Sequence, residues 1–187
     1  MALFSVVLDA CVIYPPAQRD VLLSLAKRRI FKAYWSDRIH DEWMRNVHQN
    51  QGISMDGLKR IRALMDKAVD DALVTGFDDL IEGLQLPDAD DRHVLAAAIH
   101  CGANAIITSN LKDFPAEYLK RYGIDAIHPD DFIAYQIDMA PGACCGAIKE
   151  MRQRLRKPAL TPDEFLTGLR SRLPKSAGML SEYKELI

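Results

Sequence analysis

Phe4-Ser5-Val6-Val7-Leu8-Asp9-Ala10-Cys11 is an almost wholly apolar run that ends abruptly on a carboxylate. A run of this length reads as a strand buried on both faces, as in a parallel sheet. In open parallel sheets ligands bind beyond the carboxyl ends of the strands, which is where Asp9 would sit. A buried ion is costly unless other groups balance it. What the chain does therefore depends on which side chains meet Asp9.

Outward from this run, helical and extended segments alternate. Pro15-Pro16 marks a turn; Val21, Leu22, Leu25 and Ala26 follow at helical spacing and Lys27-Arg28-Arg29 closes the helix, with cations that suit its C-terminus. Phe31–Trp35 reads as a second strand. Ser36 is a good N-cap with Asp37 in the first turn. The helix it opens runs to about Gln49 and contains Glu42. Another helix is predicted over Met55–Asp71, with Leu58, Ile61, Leu64, Met65 and Ala68 as its apolar stripe. A third strand is predicted over Ala72–Phe77.

Pro87 interrupts the chain before Asp88-Ala89-Asp90-Asp91, three acids at the start of an Ala-rich helix, Asp91–Cys101, that Gly102 closes. Ala105–Thr108 is a buried strand leading into the polar loop Ser109–Pro115, which holds Asp113. Ile124–Ile127 is the last strand, and Pro129-Asp130-Asp131 opens a helix. This alternation specifies an α/β fold with a central parallel sheet flanked by helices. It occupies residues 1–140, and residues 141–187 form a helical C-terminal extension. Within that region Met139–Gly146, with its Pro and Gly, reads as a linker and Ile148–Lys157 as a helix. Thr161-Pro162-Asp163-Glu164 is a capping box for a helix to about Leu173, and Leu180–Ile187 supplies a last turn or two.

Composition narrows the class. The 187 residues suit one domain with an extension. The 24 Lys and Arg against 26 Asp and Glu give no global pull toward a polyanion. Cys11, Cys101, Cys144 and Cys145 contain no CxxC pair and read as reduced, mostly buried thiols. There is no signal-peptide core and no apolar run long enough for a membrane span, so a cytoplasmic protein without membrane contact is expected.

Three sets of carboxylates follow strands or sit on helices beside them: Asp9, the Asp88/Asp90/Asp91 cluster and Asp113, with Glu42 joining from a helix packed on the same edge. Oxygens that converge without a neutralising Lys suit a hard cation, and Mg2+ or Mn2+ favour carboxylate and water ligands. Such an ion can bind a phosphate oxygen and activate a water.

At these residues the sequence resembles a known family. The apolar strand ending in Asp, the helical Glu, Asp-Asp-Arg-His-Val-Leu-Ala-Ala-Ala and Ile-Thr-Ser-Asn-Leu-Lys-Asp-Phe are similar to the PIN-domain ribonucleases. These include VapC-like toxins of type II toxin–antitoxin systems. The resemblance covers about residues 3–135. It implies a PIN-like three-layer fold and hydrolysis of RNA that depends on one or two Mg2+ or Mn2+ ions. It also implies an antitoxin protein as a partner, and a homodimer is a further candidate assembly. Carried across, Asp9, Glu42, Asp91 and Asp113 match the family's four acidic positions. Asp88 and Asp90 are secondary ligands, and Thr108 and Ser109 match a hydroxyl position that supports the first aspartate.

Each assignment has a plainer competitor. Asp88, Asp90 and Asp91 would complement a helix N-terminus, at about 0.3–1 kcal/mol each. Asp113 would cap the helix after Pro115, and Glu42 alone would be a solvated helix acid. His93 and His100 read as ordinary core or surface histidines. Arg92, Arg152, Arg156 and Lys157 are candidate RNA contacts; between Lys149 and Lys175 eight basic residues face three acidic ones, a net of +5. The plainer reading there is the solvated face of two helices. Ile148, Met151, Leu155, Phe165, Leu166 and Leu169 form an apolar face that needs a partner: the same domain, a second copy or an inhibitor. Among rival functions, a phosphorylation receiver lacks a mid-chain strand-ending Asp. A strand-end phosphatase lacks a second Asp at position 11, which is Cys. A catalytically silent PIN-like RNA- or protein-binding module is separated from the enzyme by a cleavage assay.

Overall fold

Val6 and Val7 expose no surface and Leu8 almost none. Successive strand residues point to opposite faces, so both sides of this strand are covered. The computed structural model describes residues 3–187. Five strands, β1 (Ser5–Leu8), β2 (Lys32–Ser36), β3 (Leu73–Val74), β4 (Ala105–Ile107) and β5 (Asp125–Ile127), make one sheet in the order β3-β2-β1-β4-β5. Every neighbouring pair is parallel, with Val7 opposite Tyr34 on one side and Ile106 on the other.

The helices complete the crossovers. α1 (Ala10–Ile13) and α2 (Pro16–Lys27) join β1 to β2; α3 (Asp37–Gln51) and α4 (Met55–Ala68) join β2 to β3. α5 (Asp78–Ile81) and α6 (Arg92–Cys101) lead to β4, and α7 (Ala116–Leu119) leads to β5. α8 (Pro129–Met139), α9 (Pro141–Arg154), α10 (Pro162–Leu169) and α11 (Pro174–Glu182) follow the sheet. The chain steps from β1 through β2 to β3 on one side, then returns to lay β4 on the other. The topological switch therefore lies between the carboxyl ends of β1 and β4, where a crevice opens in such sheets. Asp9 follows the first of these strands and Thr108 the second.

Several expectations fail. α4 stops at Ala68 rather than Asp71, and Leu64 is two-thirds exposed instead of joining the core. It lies on an open groove shared by α2, α4 and α9. Met139–Gly146 is not a linker: only Ala140 separates α8 from α9, and Gly142 and Gly146 are helical. Pro141 at the first helical position presets the backbone. Burial of Cys144, Cys145, Ala147 and Ile148 outweighs the roughly 1 kcal/mol that each helical Gly costs.

Residues 141–187 pack on the rest of the chain, with α9 against α2 and α8 and α11 against α8. The expected apolar residues are buried, Leu155 only partly. Asp130, on the first turn of α8, is buried and serves α11. Its carboxylate accepts from the amides of Lys175 and Ser176, both at 2.9 Å, and from the Ser176 hydroxyl at 2.7 Å. The capping box forms as expected between Thr161 and Glu164, but α10 ends at Leu169.

Candidate active site

Asp9 terminates β1 and is 3% exposed. Its Oδ1 accepts from the Ala10 amide at 2.7 Å, so the carboxylate also caps α1. Its Oδ2 accepts from the Thr108 hydroxyl at 2.8 Å and from the Cys11 thiol at 3.1 Å. The Thr108 oxygen is itself held by the Asn110 amide, and the Cys11 sulfur by the Ser109 amide. The loop after β4 is thus tied to the aspartate after β1. Burial pushes the Asp9 carboxyl up from its ordinary value, the thiol and hydroxyl donors pull it down, and the Glu42 charge raises it. Burial and the Asp9 charge push the Cys11 thiol to about 12, so it stays a protonated donor. Ser109 contributes its amide, while Thr108 contributes the hydroxyl.

Glu42 comes from α3, whose start is set by the Ser36 side chain accepting from the Ile39 amide. A buried polar relay fixes the rest of the helix. Trp43 donates to Nδ1 of His40 at 2.9 Å, which leaves the proton on Nε2, 3.1 Å from Asp66 of α4. Trp35 of β2 donates to the same Asp66 oxygen at 2.7 Å. Burial lowers the His40 pKa, so the ring stays neutral. Helix, strand and α4 are locked together, and Glu42 rides on that unit.

Asp91 precedes α6 and makes no capping hydrogen bond. Asp88 does: its Oδ1 accepts from the Asp90 amide at 2.9 Å. Asp88 thus caps the 3-10 turn Ala89–Asp91, while Asp91 holds the N-cap position of α6 without a side-chain cap hydrogen bond. The Asp91 carboxyl is raised to about 7, by burial first and then by the charges of Asp9, Asp88, Asp113 and Glu42. These acids share one electrostatic environment although they come from four separate parts of the chain. Asp113 stands on a short 3-10 turn after β4, and no side chain caps α7.

Asp88, Asp90, Asp91, Glu42 and Asp113 line a cleft of about 860 Å³, together with Arg38, Asp41, Arg45, Asn46, Met55, His93 and Asn110. Asp9 is not among the lining residues; its charge acts on Asp91, and that of Glu42 acts on it. His93 is buried as a core histidine would be, but it also lines the cleft. Its Nε2 is 3.4 Å from Glu42 Oε2, and its Nδ1 has no hydrogen-bond partner among the described residues. The available signal was its place on the first turn of α6, two residues after Asp91. Of the candidate RNA contacts, Arg92 is half-buried and outside the cleft lining. Arg152 is committed to the backbone carbonyls of Leu160, at 2.7 Å, and Ile187, at 3.3 Å. Arg156 and Lys157 are exposed.

Among the described residues no three His, Cys, Asp or Glu side chains stand close enough to hold a metal ion as they are. The donor chemistry nevertheless suits a hard cation: the cleft offers carboxylate oxygens, and Asp91 among them is raised by burial and then by repulsion from the charges of Asp9, Asp88, Asp113 and Glu42. Neutralising that repulsion is what a divalent ion would do.

Comparison with known proteins adds three findings. A sequence model of the PIN domain matches residues 5–112, more than half of the chain, and one of the VapC50 C-terminal domain matches residues 129–182. The chain is 41% identical over 106 residues to a Mycobacterium tuberculosis (strain ATCC 25618 / H37Rv) protein named "Putative ribonuclease VapC50". That match spans 57% of this chain and 62% of the relative, so it covers about three fifths of the relative's length. No solved structure matches.

Proposed function

The chain belongs to the PIN-domain family, and from that premise we propose that it is a VapC-like, metal-dependent endoribonuclease acting in the cytoplasm as the toxin of a toxin–antitoxin pair. The observation that carries the reading is that Glu42, Asp91 and Asp113, from three separate parts of the chain, line one cleft, where the charge of Asp9 also raises Asp91. No helix among the described residues is long and apolar enough to cross a membrane.

Asp9, Glu42, Asp91 and Asp113 would hold one or two divalent ions, with Asp88 and Asp90 secondary. Bound Mg2+ or Mn2+ would supply Lewis acidity toward the scissile phosphate and toward a water. The side chains do the rest by position. Thr108 and Cys11 fix the orientation of Asp9, His93 contacts Glu42 from α6, and the sheet edge spaces the acids. No nucleophilic side chain is required. The organisation into residues 1–140 and 141–187 is part of this proposal, with α8 shared: it follows β5 and packs on α9 and α11. An antitoxin and a second copy of the chain are the proposed protein partners.

The test is Asp9→Asn, which keeps the shape and removes one charge. Metal-dependent RNA cleavage is expected to fall by orders of magnitude. The melting temperature in EDTA should stay level or rise, because burial and repulsion already disfavour the charge. Full cleavage by this variant would refute the role. The other reading is a silent RNA- or protein-binding module, which predicts no cleavage by the wild type with either metal.

A further inference from the structure

RNA carries a negative charge at every linkage, yet the cleft wall is itself acidic. Six carboxylates line it against two arginines, Arg38 and Arg45. Bound cations would offset part of this excess, and the remaining attraction for phosphate must come from the wall. Arg38 is already occupied: its Nε and Nη2 both donate to Asp78 Oδ1 of α5, at 3.0 and 2.8 Å. Arg45 has no carboxylate within 4.0 Å among the described residues. It is exposed, and it faces the cleft beside Asn46.

Helical spacing places Arg45 with respect to the chemistry. Glu42 and Arg45 are three residues apart on α3, so they are neighbours on one face, with Cβ atoms about 5–6 Å apart. A guanidinium presents a planar fork that matches phosphate oxygens in pairs. The relay through His40, Trp43 and Asp66 holds α3 rigid, so this cation has a fixed base.

We propose that Arg45 is a phosphate-binding residue of the cleft, holding an RNA backbone phosphate next to the linkage that the acids address. The proposal rests on the ribonuclease reading. An acidic protein segment is the other anion an arginine recognises. Phosphate is favoured because it is also a ligand of the cations that suit the surrounding carboxylates.

The experiment compares the full chain with Arg45→Gln, Arg45→Lys and Lys59→Gln, an exposed residue of α4 outside the cleft. The probe is a short fluorescein-labelled single-stranded RNA in Mg2+ over a KCl series. Arg45→Gln should raise KM about tenfold with kcat nearly unchanged, and should flatten the slope of log(kcat/KM) against log salt by about 0.7, the value for one single-strand phosphate. Arg45→Lys should recover the slope but not all of the affinity, because lysine binds phosphate as a point charge. Lys59→Gln should change neither. If Arg45→Gln matches the wild type in KM and slope, Arg45 is a solvated or protein-facing residue and the proposal falls while the ribonuclease reading stands. If the wild type neither binds nor cleaves the RNA, both fall together.

Discussion

Asp91 ionises near 3.8 in an unfolded chain and near 7 in the fold. The folded state therefore holds this proton more tightly, and the carboxyl costs the fold nothing below about pH 4. The cost grows as pH rises and is complete above about 7. Asp9, also raised, adds to it with the same sign. In EDTA the melting temperature should fall between pH 4 and 7, less in Asp91→Asn than in the wild type, and Mg2+ or Mn2+ should flatten the fall. Scanning calorimetry across that range checks it, and identical profiles for the two proteins would count against the coupling. The same geometry ranks the cluster. Asp91→Asn should damage cleavage most, because Asp88 is engaged by the Asp90 amide and Asp90 is exposed. An inactive Asp88→Asn beside a normal Asp91→Asn would reverse that ranking. At this scale the sequence exposes what is local: a strand ending on Asp9, and acids before an Ala-rich helix. It hides what depends on pairing across the fold. The partner of His93 sits on α3, and Cys11 becomes a hydrogen-bond donor to Asp9 only once α1 turns its thiol back toward β1.

Element boundaries carry the same lesson. Ser36, Gly102, Pro129 and the Thr161–Glu164 box start or stop their helices where local chemistry places them. The start of α9 is not local: Pro and Gly in 139–146 signal a break, and the helix exists because α2 and α8 cover its Cys144, Cys145 and Ile148 face. Asp130 shows how one residue can join two elements. It opens α8, as its position after Pro129 suggests, but its carboxylate satisfies two amides at the start of α11. Lys175 also pairs with Asp131, an exposed contact that solvent screens. Asp130→Ala should leave buried donors unsatisfied and destabilise the protein by about 1–3 kcal/mol, whereas Asp131→Ala should be close to neutral. Urea unfolding of the two variants measures the difference, and equal midpoints would mean that the Asp130 bonds contribute nothing net.

Across the whole molecule, the extension is built as a cover. α9 lies on α2 and α8, α10 reaches α2 and α11 lies on α8. Cys144, Ile148, Phe165, Leu166, Leu169 and Leu180 enter the same core as the sheet. Fully burying one such large apolar side chain is worth about 1.5–3 kcal/mol, and a folded domain has only about 5–15 kcal/mol in total. Removing the cover would also expose the matching faces of α2 and α8. The acids, in contrast, follow β1, ride on α3, precede α6 and stand on the 3-10 turn after β4. A chain ending at residue 140 should therefore keep the site residues but lose stability and solubility, before any effect on RNA or an antitoxin is considered. The expected result is aggregation, or a melting temperature many degrees below that of the full chain. Substituting Arg156 and Lys157 together in the full chain should leave stability unchanged, because both are exposed. That pair of measurements separates the two roles the extension could have. If the shortened chain melts like the full one, the extension is a passive addition. If the double variant alone weakens RNA or antitoxin binding, the exposed end of the cover is also an interaction surface.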